Sequence, residues 1–210
     1  MEDKKQKFMI ITIARGYGSG GRTLGKHLAK ELGIQCYDRE ILKMASDESG
    51  INEALFGAAD EKKTGVSLFR GNHHYKGDVI PPESDDFVSN DNLFNYQAKI
   101  IKDLAQRESC IIIGRCADYV LKDAPNLIRL YFYAPLKDCI LRLKGISGEP
   151  ERDLIKKIEK IDKYRAEFYK YYTGNEWNDT RNYDFCLNTS SMSYEKLIEV
   201  VKAYLDICRK

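Results

Sequence analysis

The sequence predicts a three-layer α/β domain on a parallel sheet, and three observations carry the prediction. Five apolar runs of strand length alternate with helical patterns, two stretches interrupt the alternation, and a glycine cluster joins the first strand to the first helix. Strand-then-helix units in succession need crossover connections, which give parallel strands with helices packed on the sheet.

Phe8 to Ile13 is apolar and β-branched, as a buried strand should be. Leu24, Leu28 and Leu32 then recur at four-residue spacing, and Gly33 closes that helix. Ile34 to Tyr37 forms a second strand, and Asp38 opens a helix carrying Ile41, Leu42 and Ala45 that stops at Gly50. From Gly57 to Asn90 periodicity is lost while Gly65, Gly71, Gly77, Pro81 and Pro82 accumulate, which predicts an excursion from the core. A helix with Leu93, Ile100, Ile101 and Leu104 on one face leads into a third strand, Cys110 to Ile113. The turn Asp123-Ala-Pro-Asn126 precedes a fourth strand, Leu127 to Tyr133. After a helix around Ile140 and Leu143, Gly145 to Pro150 breaks the pattern before a long basic helix with Leu154, Ile155, Ile158, Ile161 and Phe168 on one side. Tyr183 to Leu187 supplies the fifth strand, and a last helix capped by Ser193 turns Leu197, Val200, Val201, Tyr204 and Leu205 to the core. The expectation is one domain over residues 1–210, with an insert at about 55–100 and a hinged arm at about 144–172.

Composition narrows the function classes. With 34 Lys and Arg against 32 Asp and Glu, the net charge of +2 provides no general field for a nucleic-acid polymer or an anionic membrane, so any anion site is local. Six cysteines (Cys36, Cys110, Cys116, Cys139, Cys186 and Cys208) form no C-x-x-C pair, which suits a reducing compartment. The apolar run at Phe8 to Ala14 is too short to span a bilayer and follows Glu2 and Asp3, so the reading is cytoplasmic.

The glycine cluster is the strongest chemical signal. Gly16-Tyr17-Gly18-Ser19-Gly20-Gly21-Arg22-Thr23 fits the phosphate-loop pattern G-x-x-x-x-G-K-[ST] in the required strand-to-helix context, with Arg22 in place of Lys. Residues without Cβ let successive N–H groups converge on phosphate oxygens, and the helix that follows adds its positive end. ATP is thus the expected nucleotide, held by Gly16, Gly18, Ser19, Gly20, Gly21, Arg22 and Thr23, with the Thr23 hydroxyl as the protein ligand to Mg²⁺ and the Arg22 fork spanning the β and γ oxygens. A dinucleotide loop is the weaker reading: Asp38 stands at the end of the second strand where such a loop needs an acid, but the glycine spacing and the Arg-Thr pair fit phosphate better.

Gly114-Arg115 follows the third strand at the carboxyl edge of the sheet, where open α/β sheets place ligands. Together with the run Ile111 to Pro125, the phosphate loop and Tyr183-Asp-Phe-Cys-Leu-Asn-Thr189, it makes the chain resemble the cytidylate kinase-like family over most of its length. The resemblance implies a phosphate-loop kinase fold with strand order 2-3-1-4-5, a nucleotide-acceptor insert and a helical lid. It implies that Arg115 holds the acceptor phosphate. Asp162-Lys-Tyr-Arg165 resembles the lid's Asp-x-x-Arg, in which Asp162 takes the acceptor ribose and Arg165 the transferred phosphate. Arg22, Arg115 and Arg165 are then the catalytic cations. Cys116 replaces the Asp that helps true cytidylate kinases read cytosine, so base preference does not carry over.

The remaining candidates each have a plain alternative. Asp38 either lines the acceptor site or caps its helix, Gln97 either reads the acceptor base or is a satisfied buried amide, and Asp118 either compensates for Cys116 or caps a short helix. Arg15 lies close enough to the loop to touch phosphate. His73-His74 lack ligand-spaced partners for a metal. Phe168, Tyr169, Tyr171, Tyr172 and Trp177 are expected to seat the arm rather than stack a base. The favoured function is transfer of a phosphoryl group from Mg·ATP to a CMP-like nucleoside monophosphate. The alternatives are a kinase of a small-molecule hydroxyl with Asp38 as base, and a nucleotide-binding protein without turnover. Oligomeric state is not legible.

Overall fold

The computed structural model describes residues 8–61, 75 and 77–208. The sheet contains β1 (Ile10–Arg15), β2 (Gln35–Tyr37), β3 (Cys110–Ile113), β4 (Leu127–Tyr133) and β5 (Phe185–Asn188), all parallel in the order β2-β3-β1-β4-β5. The α-helices among the described residues are α1 (Gly21–Leu32), α2 (Glu40–Ser49), α3 (Glu53–Glu61), α4 (Asn90–Arg107), α5 (Ala117–Val120), α6 (Leu136–Ser147), α7 (Glu151–Thr173) and α8 (Tyr194–Cys208). The expected fold class and strand order are therefore present.

The strands read as nearly continuous apolar runs because both faces of the sheet are covered. Ile11, Ile13, Ile111 and Ile113 project to the layer that holds Leu24 and Leu28 of α1 and Leu197, Val201 and Leu205 of α8. Ile10, Cys110 and Ile112 project to the other layer, with Ile41 of α2, Ile101 of α4, Ala117 of α5 and the aromatic side of α7. Helix α1 lies close on the sheet at Gly25, where an added Cβ would come within 2.8 Å of Ile13 Cδ1.

Several boundaries move. Strand β1 starts at Ile10 rather than Phe8, and β5 at Phe185 rather than Tyr183. Helix α3 runs into the stretch that shows no periodicity, and the segment after residue 77 is stapled back to α4 by Asn92. That fully buried amide accepts from Ile80 N–H at 2.7 Å and donates to Phe87 O at 2.7 Å. The arm breaks later than expected, because α6 continues through Gly145 and ends at Gly148, whose φ of 66° suits glycine, before Pro150 starts α7. Val200, expected in the core, lies on the exposed side of α8.

One buried acid ties α5 to α7. Asp118 was expected to compensate for Cys116 or to cap α5, but Cys116 is the N-cap residue and the Asp118 carboxylate accepts from the Tyr169 hydroxyl at 2.6 Å. Burial pushes its carboxyl up to about 6, against the downward pull of that hydrogen bond. The folded state thus prefers the protonated acid, so the stability present below about pH 4 falls as pH rises toward 6 and stays lower above it. Asp118→Asn should raise stability at pH 7.5 by up to about 3 kcal/mol, with the gain vanishing near pH 4 in urea melts at the two pH values.

Candidate active site

Strand β1 ends in Arg15, and the following loop carries φ angles of 76° at Gly18 and 79° at Gly20, the left-handed region that favours glycine. The N–H of Leu24 is the first to close a helical bond, to Gly20 O at 2.9 Å. Two loop amides are bonded locally: Ser19 N–H to Gly16 O at 3.3 Å and Gly21 N–H to Ser19 Oγ at 3.2 Å. Among the described residues, the amides of Gly18, Gly20, Arg22 and Thr23 donate to no protein acceptor. Four available donors around a helix N-terminus form an anion cradle.

The cradle is backed tightly. A Cβ on Gly18 would meet Cys139 Cβ and Leu143 Cδ1 at 3.0 Å, and one on Gly20 would collide with the Tyr194 hydroxyl. Arg142 of α6 donates through Nη1 to Ser19 O at 2.9 Å and through Nη2 to Thr189 O at 2.7 Å, while Thr189 Oγ1 donates to Ser19 O as well. These bonds draw carbonyls to the rear of the loop. Sequence reading singled out neither Arg142 nor Thr189 as a site residue; Thr189 at least closes the family-like run beginning at Tyr183. The donor set suits a polyphosphate. Thr23 is exposed, and among the described residues no three His, Cys, Asp or Glu side chains gather as a metal site, so a Mg²⁺ here would take most of its oxygens from phosphate and water.

The second cation group lies at the ends of β2 and β3. Gly114, Arg115 and Cys116 have φ angles of 75°, 58° and 52° in succession, and left-handed backbone at a non-glycine residue costs of order 1–3 kcal/mol. The turn aims Arg115 inward, where it is 9% exposed, with Nε donating to Asp38 O at 2.9 Å and Nη1 to Gln97 Oε1 at 2.7 Å. Arg115, Gln97 and Asp38 are therefore one cluster. Asp38 is not the cap of α2: the N-cap position belongs to Arg39, and the Asp38 carboxylate instead pairs with Arg22 Nε at 2.5 Å. Arg22 in turn leans toward this cluster.

The arm brings the third group. Arg165 Nη1 donates to Arg15 O at 3.0 Å and to Asp162 Oδ1 at 3.1 Å, and its guanidinium lies 5.7 Å from the centre of the Tyr17 ring. Asp162, assigned to the acceptor ribose, accepts here from the Tyr17 N–H at 2.8 Å, so its carboxylate reaches into the phosphate loop itself. Burial raises its pKa, while Arg165, the Tyr17 N–H and Arg15 oppose the rise. Arg15 thus stands nearer the centre of charge than its sequence position suggested. Tyr169, Tyr172 and Trp177 are buried as expected, and His73-His74 lie outside the described residues.

Phosphate-loop amides, arginines at the carboxyl edge and an Asp-x-x-Arg arm thus meet at one end of the sheet. A family model described as the cytidylate kinase-like family matches residues 10–191. The chain belongs to that family. Among this kinase family's relatives, the cytidylate kinase of Methanosarcina acetivorans is 24% identical over 203 residues, covering 94% of this chain and 97% of its own. That of Pyrococcus horikoshii is 25% identical over 202 residues, covering 94% and 88%. A crystal structure of an uncharacterized protein from Eubacterium ventriosum superposes with a TM-score of 0.67 at 24% identity, covering 94% and 98%. Shikimate kinase from Bacteroides thetaiotaomicron does so at 0.55 with 13% identity, covering 94% and 98%, a likeness of fold alone.

The brace behind the loop should matter for nucleotide binding in this family member. Arg142→Ala removes charged hydrogen bonds to two carbonyls, and calorimetry should find a non-hydrolysable ATP analogue bound at least roughly tenfold more weakly. Equal affinity would mean that the loop holds its own shape.

Proposed function

We propose that the protein transfers the γ-phosphoryl group of Mg·ATP to the phosphate of a nucleoside monophosphate of the CMP kind. The observation that carries the reading is the run of contacts from the phosphate loop to the second cluster: Arg165 bonds the Arg15 carbonyl, and Asp38 pairs with Arg22 while its carbonyl accepts from Arg115. When bound, Mg·ATP supplies the phosphoryl group and the metal's neutralising charge. The amides of Gly18, Gly20, Arg22 and Thr23, with Gly16, Ser19 and Gly21 shaping the loop, would hold the donor phosphates, and the Thr23 hydroxyl would be the protein ligand to Mg²⁺. Arg115, kept in place by Gln97 and by the Asp38 carbonyl, clamps the acceptor phosphate.

An ionised phosphate acceptor needs no general base, so this half of the reaction asks for cations at fixed positions. That requirement matches the residues present. A hydroxyl acceptor would instead need Asp38 as base, and that carboxylate is already engaged by Arg22 Nε at 2.5 Å. Arg165 leaves Asp162 and the Arg15 carbonyl to meet the transferred group, and Asp162 then turns to the acceptor ribose. No described helix is long and apolar enough to cross a membrane, and the six cysteines are free, both of which support the cytoplasmic reading.

ADP release from Mg·ATP, followed against a panel of nucleoside monophosphates and small alcohols, should rise with a pyrimidine monophosphate and not with the alcohols. Turnover with an alcohol alone would replace the proposed acceptor class, and none at all would favour a binding protein. Under the same assay Arg22→Lys should retain turnover, whereas Arg22→Ala and Arg115→Ala should each lower kcat/KM by roughly 10³-fold or more.

A further inference from the structure

Tyrosine hydroxyls hold the arm helix α7 to two different parts of the protein. Those of Tyr164, Tyr171 and Tyr172 reach Ala59 O of α3, Asp91 Oδ2 of α4 and Asn90 O of α4, which seats the arm on the insert. Tyr169 reaches α5 instead. Its hydroxyl donates to Asp118 Oδ2 at 2.6 Å, and the two residues are 4% and 7% exposed. Burial and the Asp118 charge hold the Tyr169 phenol far above the ordinary tyrosine range, so it stays a donor at neutral pH.

The bond joins the supports of two arginines. Asp118 stands three residues after Arg115, and the chain between them is fixed by left-handed backbone at Arg115 and Cys116 and by Ala117 N–H, which donates to Gly114 O at 3.1 Å. Tyr169 stands four residues after Arg165, about one turn along the same face of α7, so holding one holds the backbone of the other. The pair is set in an apolar cluster with Cys116, Ala117, Val120, Leu121 and Tyr172. Apolar contact is non-directional and lets a helix slide or turn on its bed, whereas a short hydrogen bond to a carboxylate fixes one register. Stability does not account for the acid. Burial pushes its carboxyl up to about 6, so at neutral pH its charge makes the fold weaker.

We infer that the hydrogen bond between Tyr169 and Asp118 sets Arg165 against Arg115, and that both are positioning residues for phosphoryl transfer. The inference rests on the proposed kinase reading and deepens it. In that reading Arg115 clamps the acceptor phosphate and Arg165 meets the transferred group, so the two guanidiniums serve one transition state only at a fixed separation. A misplacement of about 1 Å can cost about 10²-fold in rate. Ground-state binding asks for less. The donor phosphates belong to the loop amides, and Arg115 keeps Gln97 and the Asp38 carbonyl as partners whether or not the link is made. Its loss should therefore appear in kcat and not in KM.

The test follows phosphorylation of cytidine 5′-monophosphate by the full chain and three variants at pH 7.5. Tyr169→Phe removes one hydroxyl, and Tyr169→Phe combined with Asp118→Leu makes the whole contact apolar, which leaves no buried charge without a partner. Both should lose kcat by at least roughly tenfold while KM for either substrate changes less than about threefold, and the double variant should do so with a melting temperature at or above the parent's. Asp118→Asn keeps an acceptor for Tyr169 and should hold kcat within about threefold of the parent. A stable double variant as fast as the parent, a change in KM alone, or a loss of rate that tracks loss of folded protein shows a structural contact only and overturns the inference while leaving the kinase reading intact. Should the double variant not fold, Tyr169→Phe against Asp118→Asn decides, and equal kcat in the two overturns it. If the parent phosphorylates no monophosphate, the kinase reading fails. The link then stands only if Tyr169→Phe raises hydrogen exchange across residues 115–120 by at least roughly fivefold, and it falls if exchange there is unchanged.

Discussion

The phosphate loop can offer its amides outward only because its carbonyls are bound elsewhere. Every buried backbone polar group needs a partner, and a loop of glycines has little side chain to supply one. Arg142 and Thr189 take the carbonyl of Ser19, and the Phe132 carbonyl of β4 receives the N–H of Gly16 at 3.1 Å. With those bonds made, the N–H groups of Gly18, Gly20, Arg22 and Thr23 lie on the side where a helix dipole also favours negative charge. That attraction is worth only about 0.3–1 kcal/mol, up to ~2 when partly buried, which is small beside the charge of the side-chain cations gathered nearby.

Those cations create a packing problem that the chain solves with acids, carbonyls and one amide. Arg15, Arg22, Arg115 and Arg165 gather at one end of a protein whose net charge is only +2. Asp38 holds Arg22 and lends its carbonyl to Arg115, Gln97 takes the other side of Arg115, and Asp162 holds Arg165. Each partner sets the direction of a guanidinium. The left-handed backbone at Arg115 and Cys116 fits the same picture, since strain of this size persists only where the surroundings over-determine it.

Much of this architecture was legible. The glycine cluster, the alternation of apolar runs and helices, and the caps at Gly33 and Gly50 located the sheet and the loop to within two residues at most boundaries. Errors fell where local signals compete with packing. Gly145 reads as a helix breaker, yet α6 runs through it because an isolated glycine costs a helix only about 1 kcal/mol, and the stop comes at Gly148 and Pro150. Asp38 reads as a cap because its residue type favours that role, but Arg22 at the start of α1 offers a charged partner.

What the sequence by itself determined was the class of chemistry: phosphate bound by backbone at a strand-to-helix turn, arginines at the carboxyl edge, and an arm able to bring another. Those features are local, written in glycine spacing and in the order of elements. What only the tertiary structure decided was which side chains face one another. Arg142 meets Ser19 across 123 residues, Asp162 meets Tyr17 across 145, and Tyr169 meets Asp118 across 51. No periodicity encodes such pairs, because they arise from the strand order and from the angle at which α6 and α7 return over the sheet.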